Sequence, residues 1–193
     1  MRPLTLCTLI LLCSISIPSI AEVEQTTDSE SQLISWKLTK QALSLELIQR
    51  LPDQTRAFFQ GRGFSSDIAN DIANQCVLQT IAKNTSHVAA KQSISYDLHD
   101  WKIYTKSKTQ RIKLKEQWDT EWTKGQVSMA SRIAFRWATF PTQQNFDPGG
   151  DFNWGMISFG LPPGSVFDLE IIWTQNSQVH SHWIRQIKCP LDR

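Results

Sequence analysis

Two cysteines, Cys76 and Cys189, constrain this chain more than any other feature, because the start of the sequence decides both their isolation and their chemistry. The chain opens MRPLTLCTLILLCSISIPSIAEVEQ: Arg2, an uncharged stretch from Leu4 to Ile17, then Pro18 and the small-residue pattern Ser19-Ile20-Ala21. That layout predicts a secretory signal peptide over residues 1–21, cleaved after Ala21. A spanning helix needs about 20 apolar residues, and Ser14, Ser16, Pro18 and Ser19 interrupt this run. A lipid anchor at Cys13 is disfavoured because Leu12, not a small residue, precedes it. Cleavage removes Cys7 and Cys13 and leaves a mature chain with two thiols in an oxidising compartment, where pairing of Cys76 with Cys189 is the default. The bridge would close a loop of more than 100 residues, stabilising by about 4–5 kcal/mol on the chain-entropy argument. A metal site on both thiolates needs further ligands, and none adjoins either cysteine.

The mature length suits one domain with a core of its own. Residues 22–33, EVEQTTDSESQL, are polar and aperiodic and read as a flexible leader; residues 34–193 form the predicted single domain. ISWKLTKQALSLEL, from 34 to 47, favours an opening strand. Pro52-Asp53 starts a helix, Gly61 and Gly63 end it, and Ser65-Ser66-Asp67 caps a second one carrying Ile68, Ile72, Ala73, Cys76, Val77 and Ile81 at helical spacings. This predicts a helical hairpin over about 53–83, with Cys76 on a buried helical stripe.

From about 93 to 189 the pattern turns to β. SISYDLHDWKIYT alternates with a slip at His99-Asp100. RIKLK reads as an edge strand. QVSMASRIAFRWATF reads as a strand with Val127, Met129, Ser131, Ile133, Phe135 and Trp137 on one face. VFDLEIIW and QVHSHWIRQIKC read as a strand pair around Gln175-Asn176-Ser177. Helices followed by strands, without βαβ alternation, predict an α+β fold: an N-terminal helical hairpin on a mainly antiparallel sheet or small β-sandwich.

Twenty Lys and Arg face eighteen Asp and Glu, a balance that argues against nucleic acid or an anionic membrane surface as partner. There is no G-x-S-x-G and no H-E-x-x-H. His180 and His182 fall on one face of the last strand, about 7 Å apart, within reach of one ion; most such pairs are simply solvated. Met156 offers a thioether, and methionine with imidazole suits copper. Eight tryptophans and the Gly-rich run FPTQQNFDPGGDFNWGMISFG place Phe146, Phe152, Trp154 and Phe159 where they would form a recognition surface if exposed together. The expectation is a secreted, periplasmic, non-enzymatic accessory or binding protein, with another envelope protein as partner, no membrane anchor after cleavage, and weak copper binding as a minor option. The alternative is an enzyme using His99, flanked by Asp97 and Asp100, or His180 as acid/base, which requires a concave pocket around the imidazole.

Overall fold

The computed structural model describes residues 22–123 and 125–192; the expected signal peptide lies outside them. Among the described residues the chain forms two antiparallel sheets and four α-helices, a mixed α+β architecture.

The first sheet has the order β1 (Glu22–Thr27), β2 (Ile34–Lys40), β3 (Leu43–Gln49), β4 (Val77–Asn84), β9 (Phe152–Ser158). The second runs β7 (Thr109–Arg111), β6 (Lys102–Tyr104), β10 (Val166–Gln175), β5 (Ile94–Asp97), β8 (Gln143–Phe146), and β11 (Gln178–Lys188) pairs β10 along its other side. Strands β5 and β6 meet the same side of β10 at different heights, Thr174–Gln175 and Asp168–Glu170. The slip expected near His99 is thus a turn over 98–101. The main core fills the space between the sheets: Trp36, Leu38, Leu45, Leu47 and Ala82 face Ile103, Leu169, Ile171, Trp173 and Ile184.

Four short helices form a second layer with its own core. α1 (Pro52–Gln60), α2 (Ser66–Ala73), α3 (Lys115–Glu121) and α4 (Met129–Ala138) bury Phe59, Phe64, Ile72, Trp118, Trp122 and Phe135 against Val77 and Met156 of the first sheet.

Several expectations are corrected. Residues 22–33 are not a loose leader: β1 pairs with β2 over six residues, and the Asp28 carboxylate accepts from the Ser31 amide at 2.7 Å to fix the turn that follows. The helix pair expected to run to residue 83 ends at Ala73, and Val77–Asn84 is strand β4. Both faces of β4 are covered at its start, with Val77 under the helices and Leu78 between the sheets, so its alternation was masked by an apolar run that also fits helical spacing. RIKLK supplies only the end of the edge strand β7 before α3 begins at Lys115. The strand expected over 126–140 is helix α4.

Cys76 and Cys189 form a disulfide, with Cα atoms 5.3 Å apart. Cys76 sits not on a helix but in the turn before β4, at φ 51, and Cys189 directly follows β11. The bridge joins the first sheet to the last strand of the second.

Candidate functional site

The aromatic residues expected to act together divide into two pairs. Phe146 and Phe159 are fully buried in the main core, where Phe146 lies beside Tyr96 and Phe159 beside Phe167. Phe152 and Trp154, two apart on β9, stay exposed at 59% and 58%. They stand on the outer face of the first sheet, opposite Lys83 and Ile81 of β4.

Helix α4 carries more of the same surface. Its inward face is Ser131, Phe135 and Ala138. Met129, Ile133 and Trp137, spaced i, i+4, i+8, line the opposite side, and Trp137 is 83% exposed. The helix is held firmly: the Ser128 hydroxyl accepts from the Ser131 amide at 3.1 Å, and Ser131 Oγ donates to the Arg62 carbonyl at 3.0 Å. The Asp119 carboxylate ties down both Arg132 and Arg136. At its end Thr139 bridges to Met156, and the Phe140 amide donates to the Met156 carbonyl at 2.9 Å. Gly155 permits this approach, since a Cβ there would lie 2.4 Å from the Phe140 nitrogen. Trp137 is therefore three residues before, and Trp154 two residues before, one shared backbone contact. A two-residue period put Trp137 on the same strand face as Phe135, whereas in the helix the two point apart; the Ser128 cap and the i, i+4, i+8 apolar spacing were the signals available.

The expected metal set is not assembled. Met156 is buried under the helices. His180 and His182 lie across from Trp173 and Ile171, on the inward face of the second sheet. The His180 ring stacks on Trp173 at 5.4 Å between centroids, and His182 Nδ1 lies 3.4 Å from Lys40 Nζ. Burial, and then the Lys40 ammonium, lower the proton affinity of His182 and favour the neutral imidazole. Among the described residues no three or more His, Cys, Asp and Glu are grouped to hold an ion.

The expected acid/base residue His99 stands on an exposed turn, its Nδ1 2.7 Å from Asp97 Oδ1. Burial raises the Asp97 pKa, but hydrogen bonds from the His99 amide, Gln143 and the His99 ring outweigh it and hold the carboxyl below its ordinary value. An open trough of about 490 Å³ runs beside this turn, lined by Ser95, Asp97, Asp100, Gln143, Asn145 and Thr174 among others, and the His99 side chain is not part of its wall. Asp151 accepts from the Asp147 amide at 3.0 Å, so it shapes its own loop. No described helix is long and apolar enough to cross a membrane.

The candidate site thus consists of exposed apolar residues on two elements, Met129, Ile133 and Trp137 on α4 and Phe152 and Trp154 on β9, which meet through the Thr139–Met156 backbone contact and sit on a disulfide-linked pair of sheets. No protein-family model, curated protein or solved structure matches this chain.

Proposed function

We propose that this is an exported, periplasmic binding module that acts as an accessory to another envelope protein, with the α4–β9 surface as its contact face. The signal-peptide layout of residues 1–21 and the paired cysteines support export. The carrying observation is Trp137. A tryptophan can bury 150–250 Å², and this one is left 83% exposed on a helix that is capped by Ser128 and docked through Ser131, Phe135 and Ala138. Single exposed apolar residues are ordinary, whereas a group of large ones on adjoining elements marks an interaction surface. Tryptophan is also among the residues that most often dominate binding energy. Arg136 and Lys83 border the group and supply a charged rim.

The test is light-activated cross-linking in living cells, with a photoreactive amino acid at position 137 or 154 and a control at position 106. The reading predicts one discrete adduct from 137 and 154, none from 106, and loss of the adduct from 154 when Trp137→Ser and Phe152→Ser are added. A smear of adducts, equal capture at 106, or an adduct indifferent to those substitutions would count against it.

A further inference from the structure

The fold leaves one long strand edge without a neighbour. β11, eleven residues long, pairs with β10 on one side, and among the described residues no strand pairs the other. Hydrogen bonds from the first sheet to β11 fall at His182, near Lys40, and at Lys188, whose carbonyl accepts from Gln49 Nε2 at 2.7 Å. Val179, ahead of both, is 73% exposed. Open edges are ordinarily guarded by charge, proline or bulges. Here Arg185, a left-handed Gln186 and Lys188 guard the later half, and residues 178–184 carry no such device.

That unguarded half has the same chemistry in both directions: apolar Val179, His180, Ser181, His182, apolar Trp183. A two-fold contact between identical chains demands this self-complementarity, because each residue i that meets j is matched by j meeting i. Antiparallel pairing about Ser181 sets Val179 against Trp183 of the second copy and His180 against His182 of the second copy. Directly opposed side chains share a face with Cβ atoms about 4.5–5.5 Å apart, and residues two apart along a strand are separated by about 7 Å. The register that pairs the two apolar residues therefore also gathers four imidazoles on one face.

We propose that β11 joins two copies of this chain about Ser181, and that His180 and His182 of both copies bind one divalent cation of the zinc or copper(II) class between them. Imidazole nitrogen is a ligand both ions favour, and four of them complete a tetrahedral shell for zinc or a square-planar one for copper(II). One chain alone offers only two, so the site is incomplete without the second copy. His180 is oriented by its stack on Trp173, while Lys40, donating to His182 Nδ1, opposes the ion and must swing away. This inference does not depend on the α4–β9 surface, and either can fail alone.

The experiment measures the mass of the tag-free mature protein by light scattering and sedimentation, with Zn(II) alone, Cu(II) alone and a chelator. The expected result is a doubled mass with one ion per two chains. With free ion about 100-fold above its dissociation constant, the dimer dissociation constant should fall about 100-fold. The His180→Ala, His182→Ala double variant, checked for an unchanged melting temperature, should lose this response, and Lys40→Met should strengthen it. Ser181→Cys should cross-link to itself by oxidation when the ion is present, since residues on the axis face each other within disulfide reach, whereas Val179→Cys should not. A mass that neither ion changes, one ion per chain, the same response from the double variant, or no self-cross-link at 181 would each overturn the proposal.

Discussion

Gln186 stands in the left-handed region at φ 55, and its amide donates to Asp168 Oδ1 at 2.8 Å. That one bond pins a bulge in β11, seen as a register shift opposite Phe167–Leu169. A side-chain period of two is shifted by one residue at a bulge. His180, His182 and Ile184 therefore face inward together with Ile187 and Cys189, although strict alternation would separate them. Asp168 is subject to burial, which raises its pKa, but the Gln186 amide and Arg185 outweigh that and hold it below the ordinary carboxylate value. A carboxyl depressed in the folded state stabilises above its unfolded pKa and loses that contribution as pH falls through the folded value. Asp168→Asn should cost about 1–2 kcal/mol at neutral pH, with a difference from wild type that shrinks steadily below about pH 4. Urea unfolding across pH measures this; a pH-independent difference would contradict it. Thr80 gives the opposite sign. Its hydroxyl is fully buried with no partner among the described residues, so Thr80→Val should raise stability by about 1 kcal/mol, removing an unmet desolvation cost at equal size.

At the scale of elements, α4 shows why pattern reading falls short. In SMASRIAFRWA, apolar residues recur at spacings of two and of four, and both a strand and a helix claim them. The helix forms because Ser128 caps it and Asp119 gathers Arg132 and Arg136, one turn apart, on one side. Ser128 was open to a local reading, but Asp119 comes from α3 and is invisible to a local window. β4 was missed for a related reason, since its first residues, Val77 and Leu78, are covered on both faces and hide the alternation that follows. The pair β10–β11 was legible because Asn176 and Ser177 accept left-handed backbone between two alternating runs. The disulfide was legible too, because setting aside the expected signal peptide leaves two cysteines. It links the turn before β4 to the end of β11 across 113 residues. Cys76→Ala with Cys189→Ala should cost about 2–5 kcal/mol. Mass spectrometry without reductant should find the two cysteines joined in wild-type protein; free thiols there, or an unchanged denaturation midpoint in the double variant, would contradict this assignment.

Across the whole molecule, two cores divide the labour. The one between the sheets takes most of the buried aromatics, including Phe146 and Phe159, while the helical layer covers only the Val77–Met156 end of the outer sheet face. Composition and order of elements were enough to predict an α+β chain with antiparallel sheets. They could not show which rings the second layer would leave uncovered, because that depends on where α4 docks against Gly155. In the proposed reading the uncovered rings, Trp137, Phe152 and Trp154, are surplus to folding and serve contact. The most direct measurement is the unfolding free energy of the triple variant Trp137→Ser, Phe152→Ser, Trp154→Ser, taken together with its cross-linking in cells through a photoreactive residue at 133. The account predicts a stability change within about 0.5 kcal/mol per site, as for surface positions, and loss of the discrete adduct. A fall of about 3–5 kcal/mol per ring, as for aromatic residues removed from a core, or an adduct that survives the triple change, would contradict it.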